Sequence, residues 1–238
     1  MPPIPLLLLA LAAICALAGA TLVRASGSDL SLGRRLAGAA EVRVGDLLDM
    51  DPLPTRPVRV VGRIRSPDPM VTARDDRLVA LHRDVEVQLP GGRWRTIERL
   101  RETRGFELWD HDGSLPLDAS SAAEPLVTIP HVWRGDPADL ADEAHRAALA
   151  RLERQGLLPV AARSVTRAIS VVDRLLVLAR PVHDAAGRIV LEPPPGGFVI
   201  SSLDLPDAMR LLGGPRRAWL VGGAGLIGLG LVLATLAL

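Results

Sequence analysis

The sequence predicts a mainly β (α+β) domain, a small β-barrel or sandwich with one long inserted helix, flanked by two transmembrane helices. Three observations predict it. Residues 4–23 and 218–238 are uncharged runs of about twenty residues, long enough to cross a hydrocarbon core roughly 30 Å thick. Every Arg, Asp, Glu and His lies between those runs. The intervening stretch alternates apolar and polar residues in short segments bounded by Gly and Pro, with one capped helical pattern among them.

The two apolar runs set the domain boundaries: a span over 4–23, a linker over 24–40, a β-rich domain over 41–212 and a second span over 218–238. Ala18-Gly19-Ala20 has the small-x-small form of a signal-peptide cleavage site. However, Met1-Pro2-Pro3 offers no basic n-region, so a retained anchor is expected. Before the second run stand Arg216 and Arg217, with Trp219 where an interfacial aromatic belongs. Small residues such as Ala224 and Gly228 would admit another helix. Arg24, Arg34, Arg35, Arg210, Arg216 and Arg217 all flank the spans on the domain side. By the positive-inside rule they favour a two-pass cell-membrane protein with a cytoplasmic domain.

Within the domain, Val42, Val44 and then Val58, Val60 and Val61 read as strand, with Gly62 as a bulge or close-approach glycine. Ser66-Pro67-Asp68-Pro69 must be a turn or loop, since two prolines so close forbid a ladder. Residues 79–87 alternate, Pro90-Gly91-Gly92 turns the chain, and Trp94-Arg95-Thr96-Ile97 returns it as a hairpin. Phe106 to Trp109, the Asp110-His111-Asp112-Gly113 turn, then Leu115 and Leu117 predict a second hairpin. The spacing predicts a helix over about 137–155: Asp136 as N-cap, Pro137 at the first position, an apolar face through Leu140, Ala144, Ala148 and Leu152, and Gly156 to close it. Residues 165–169, 175–178, 189–191 and 198–201 are strand-like, and 205–212 make a short helical run.

Composition excludes several functions. A net charge of +1 argues against a general nucleic-acid binder, which needs a concentrated basic face. All 28 basic residues are Arg, and Lys, Asn and Tyr are absent, the mark of a GC-rich coding sequence. Cys15 is the only cysteine and lies in the first apolar run, so the domain has no disulfide, thiolate metal site or cysteine nucleophile. Asp110-His111-Asp112 is the densest group of metal-ligand types, but Asp-His-Asp-Gly is also good turn chemistry, and no further ligands stand at motif spacing. No His-Glu-x-x-His and no Gly-x-Ser-x-Gly occurs, and the glycines at 222–225 lack the Lys-Ser/Thr ending of a phosphate loop. No catalytic residue, metal ligand or cofactor is therefore assigned. Trp94, Trp109 and His111 are the candidate partner-binding surface, although aromatics in such a domain more often pack inside.

The order of the segments carries more than any one of them. Val60-Val61-Gly62-Arg63-Ile64, Arg83-Asp84-Val85-Glu86, Gly92-Arg93-Trp94-Arg95, Phe106-Glu107-Leu108-Trp109-Asp110, Val172-Asp173-Arg174-Leu175-Leu176-Val177-Leu178 and Gly197-Phe198-Val199-Ile200-Ser201-Ser202 succeed one another between two apolar runs. This pattern, over most of residues 41–238, resembles the beside-a-membrane domain of the GIDE/MULAN family, whose eukaryotic members are mitochondrial outer-membrane RING-type ubiquitin ligases. The resemblance implies a bacterial member in which this domain engages partners. It also implies a domain facing an intermembrane or periplasmic space, against the arginine distribution, and the side stays open. Two departures stand out: the family's Cys and Tyr ahead of the Arg83 position are replaced within residues 79–82, and Val172 stands where Gly precedes the Asp173 position. Without domain cysteines, residues 1–238 cannot form a RING zinc site, so ligase chemistry is excluded for this stretch.

The expected function is a membrane-anchored, non-catalytic binding or scaffolding protein whose partners are the lipid bilayer and another membrane or membrane-proximal protein. Two alternatives are a membrane-bound hydrolase or peptidase-like enzyme using His111 or His131, and an assembly factor for a membrane complex.

Overall fold

A computed structural model describes residues 4–72, 75–117, 125–214 and 216–237. The chain divides into a helical unit, Met1–Gly38 with Leu205–Leu238, and a β-rich unit, Ala39–Asp204.

In the helical unit, α1 (Ile4–Gly38) is one continuous helix. The segment expected as a linker over 24–40 is thus helical as far as Gly38. Within it, Gly33 lies against Met209 of α4 (Leu205–Gly213), where an added Cβ would come 3.2 Å from the Met209 Cε. Residues 205–212, expected as the end of the β domain, belong to the helical unit instead.

The helix α5 (Arg216–Leu236) runs antiparallel to α1 and touches it backbone to backbone. A Cβ on Gly19 would lie 2.5 Å from the Gly223 carbonyl oxygen, and one on Gly230 would lie 2.9 Å from that of Ala12. The small residues at the contact are therefore Gly19, Gly223 and Gly230; Gly228 faces open space. Among the described residues, one helix is long and apolar enough to cross a membrane, over Pro5–Arg24, and the apolar stretch of α5, Val221–Leu236, is shorter.

The β unit is mainly strand, with short helices, in two sheets. The larger follows the order β7-β6-β2-β11-β13-β8, with β1 added parallel to β2 and β12 to β11. Its members are β1 (Ala40–Arg43), β2 (Val58–Arg65), β6 (Glu107–Asp110), β7 (Gly113–Pro116), β8 (Leu126–Val127), β11 (Arg174–His183), β12 (Ile189–Glu192) and β13 (Val199–Ser201). The smaller has the order β3-β4-β10-β9, with β5 on β4. It comprises β3 (Met70–Val71), β4 (Arg77–Gln88), β5 (Trp94–Thr103), β9 (His131–Gly135) and β10 (Ala161–Ser170). Neither sheet closes on itself among the described residues, so the expected barrel is not formed.

Both sheets feed one core. Val60, Leu108, Leu115, Leu175 and Val177 of the larger, with Phe198 just before β13, meet Val79, Ala80 and Ile169 of the smaller. The far ends of β4 and β10 build a second cluster, Val85, Val87 and Ala162 with Leu140 and Leu152.

Both predicted hairpins form, β4 with β5 and β6 with β7. Val44, expected as strand, instead opens the short helix α2 (Val44–Leu48), which buries Val44 and Leu47 in the core. The inserted helix is shorter than the expected 137–155. Asp136 and Asp139 form a capping box over a single 3₁₀ turn, Pro137–Asp139, and the chain extends at Leu140. A second cap, Asp142, whose carboxylate accepts the Ala144 N–H, starts α3 (Glu143–Arg154). Gly156 ends it with φ 75°, as its sequence position predicts.

Candidate functional site: an arginine-lined cleft

Strand alternation sends Val60 and Ile64 of β2 into the core and Val61, Arg63 and Arg65 to the opposite face. Directly paired residues share a face. Arg63 is paired with Arg174 of β11 on one side and Trp109 of β6 on the other. Val61 is paired with Arg43 of β1 and Leu176 of β11. The register therefore gathers three arginines and a tryptophan from four strands. Gly62 permits the tight approach of β6, since a Cβ there would come 3.2 Å from the Trp109 carbonyl oxygen.

Arg43, Val61, Gly62, Arg63, Trp109, Asp110, His111 and Arg174 line a cleft of about 480 Å³. No carboxylate of the described residues lies within 4 Å of the Arg43, Arg63 or Arg174 guanidinium groups, although nine described arginines elsewhere have such a partner or share one. Asp110, the one acid among the described residues of the wall, is engaged. Its Oδ1 accepts the Asp112 N–H at 2.9 Å and its Oδ2 the Gly45 N–H at 3.4 Å, which pins the turn to α2. The indole N–H of Trp109 donates to the Ile64 carbonyl at 3.2 Å, and the Arg65 guanidinium stands 5.1 Å from the ring centre. A cation over the ring is attractive and helps fix it. His111 is exposed at the rim, 3.2 Å from Asp112.

Ligand atoms of Asp110, His111 and Asp112 lie within 4.8 Å of one another. Two of the three residues are exposed, and Asp110 spends both oxygens on backbone N–H groups. Turn-building accounts for the cluster.

The three residues singled out from sequence are only partly brought together. Trp109 and His111 share the cleft, whereas Trp94 starts β5 in the other sheet, 38% exposed, with the Arg163 guanidinium 4.2 Å from its ring centre. His131 is exposed on β9. The sequence reading missed Arg43, Arg63 and Arg174 as a group. Arg63 and Arg174 were quoted only as members of motifs, and nothing in the sequence says that those motifs are adjacent strands.

A second polar cluster was also missed. His145 of α3, buried, hydrogen-bonds through Nε2 to the Glu98 carboxylate of β5, which also accepts from Arg83 Nη2 at 2.7 Å. Burial pushes the Glu98 carboxyl up, but the hydrogen bonds and charges of Arg83 and His145 outweigh it and hold the group below its ordinary value. Asp84 behaves alike: burial raises it, and contacts with Arg101 and Arg99 win and lower it. Ser164 lines a recess of about 250 Å³ beside His145, yet among the described residues no hydrogen bond joins the two. The cluster bolts α3 to the hairpin.

No family model, curated protein or solved structure matches this chain.

Proposed function

We propose that this chain is a membrane-anchored, non-catalytic binding module of GIDE/MULAN type without the RING, and that the arginine cleft is its recognition face. The observation that carries the reading is the meeting of Arg43, Arg63 and Arg174, without a carboxylate partner among the described residues, around a cleft also lined by Val61 and Trp109. Three of the segments behind the family resemblance, containing Val60 to Ile64, Phe106 to Asp110 and Val172 to Leu178, supply its adjacent strands. The close glycine contact of α5 with α1 supports a two-pass helical hairpin, because a shorter apolar helix is carried across the bilayer by a packed neighbour. Arginines beside both helices favour the cytoplasmic side.

A photo-cross-linking residue at His111, in intact membranes, tests the reading. The expected result is a discrete adduct with a membrane protein, retained after alkaline carbonate washing and weakened by Arg63→Gln with Arg174→Gln. Absence of any adduct, or release of the chain by carbonate, would contradict it. An assembly factor would show the same adduct with a subunit of a larger complex. A hydrolase using His111 or His131 would show steady turnover abolished by replacing that histidine with Gln.

A further inference from the structure

Arg63 and Arg174 are direct cross-strand partners, an arrangement in which like charges repel. Arg43 joins them one residue pair along the strand, through Val61. Among the described residues, no carboxylate within 4 Å relieves any of the three. Among the described residues the only acid in the wall is Asp110, so that lining carries three positive charges and one negative, a balance of +2. A lone carboxylate ligand would leave half of that unmatched. A phosphomonoester carries about −1.5 to −2 at pH 7 and offers three acceptor oxygens, which suits several guanidinium forks at once. Val61 and the Trp109 ring supply apolar wall beside the arginines, where the organic part of an ester would rest.

We infer that the Arg43–Arg63–Arg174 cleft binds a phosphomonoester group, borne either by a small soluble molecule or by a lipid headgroup. The inference rests on the binding-module reading and names the chemistry of its recognition face. The phosphate oxygens bridge Arg63 and Arg174, converting a repulsive pair into two arms of one site, and Arg43 closes the third side. His111 stands at the rim. No bond is made or broken.

The test uses the full chain in phosphatidylcholine nanodiscs, titrated calorimetrically with glycerol 3-phosphate, and a parallel preparation with phosphatidic acid in the disc. The expected result is saturable binding of one glycerol 3-phosphate per chain. Arg63→Gln with Arg174→Gln should weaken it by at least about tenfold, since charge-assisted hydrogen bonds are lost, while Arg93→Gln at the β4–β5 turn leaves it unchanged. Thermal unfolding of the double variant establishes that it is folded. If phosphatidic acid discs compete with the soluble probe, or if only they are recognised in an arginine-dependent way, the lipid headgroup is the source and the phosphate assignment stands. Equal binding by the wild type and the double variant, or none by either in both preparations, overturns it. No binding in either preparation alongside an intact His111 cross-link removes the phosphate assignment alone, whereas loss of both removes the binding-module reading as well.

Discussion

Replacing Arg174 by Glu should stabilise the β domain while destroying its cleft. In the native pairing Arg63 and Arg174 stand directly opposite on β2 and β11, both exposed, with no carboxylate of the described residues within 4 Å. A like-charged cross-strand pair costs about 0.2–1 kcal/mol, and an opposite-charged one gains a similar amount. The charge reversal therefore changes the pair by about 0.5–2 kcal/mol. Solvent screening at an exposed site favours the lower half of that range. For a domain of this size, each kcal/mol moves the melting temperature by roughly 2–4 °C. The expected result of differential scanning fluorimetry in detergent is a rise of about 2–4 °C for Arg174→Glu in low salt, shrinking in about 1 M salt, where the Debye length falls to about 3 Å. Arg174→Gln should give about half the rise. A fall of several degrees, of the kind a core truncation produces, would refute the reasoning, because it would mean that Arg174 holds the fold together rather than serving the cleft.

Other outcomes follow from the same geometry. Gly230→Cys should form an intramolecular disulfide with Cys15 under mild oxidation, because a Cβ at position 230 falls 3.5 Å from the Cys15 Cβ, within bonding range; Gly223→Leu should suppress it, and non-reducing gel mobility reports both. Leu108→Ala, at a fully buried position, should cost about 2–5 kcal/mol, read as a large drop in melting temperature. Glu98 and Asp84 are held below their ordinary values of 4.5 and 3.8, so their contribution is present above those values and is lost as pH falls through the lowered ones. A melting curve from pH 7 to pH 3 should decline at the acid end, and Glu98→Gln with Asp84→Asn should flatten that decline. Val172→Cys, at an 85% exposed position, should react with an impermeant maleimide only after inside access is given, if the domain is cytoplasmic as the arginines suggest; labelling of intact cells would place it outside.

Local chemistry made parts of this fold legible. Pro90-Gly91-Gly92 and Asp110 to Gly113 specify their turns through residues that accept positive φ or cap a tight turn, so both hairpins could be read without knowing their neighbours. The start of α3 was misplaced because two Asp caps stand six residues apart, Asp136 and Asp142, and each satisfies the same local rule. Only the extended backbone at Leu140, which enters the second core cluster, separates a 3₁₀ turn from the helix proper. Val44 was misread because the alternation Val42, Val44 continues across the strand end, and α2 turns away there to bury Val44 and Leu47.

The cleft was the least legible feature. Its parts lie on β1, β2, β6 and β11, and pairing between distant strands is set by the shared core, not by local sequence. Trp109 and His111 could be picked out because they are rare and adjacent. Arg63 and Arg174 could not, in a chain whose 28 basic residues are all arginine. The same holds for Glu98 and His145, which α3 brings together only after it packs on the hairpin. Gly19 and Gly223 are ordinary small residues in apolar runs until the two helices are placed side by side.

The measurement that tests the central claim most directly reads the cleft from inside. With Trp94, Trp133 and Trp219 replaced by Phe, Trp109 is the sole remaining tryptophan, and its emission reports the cleft alone. In the full chain held in nanodiscs, the account predicts a saturable change in Trp109 emission on adding glycerol 3-phosphate, abolished by Arg174→Gln. Emission that stays constant both up to saturating probe and with phosphatidic acid in the disc, or that changes equally in Arg174→Gln, would contradict it.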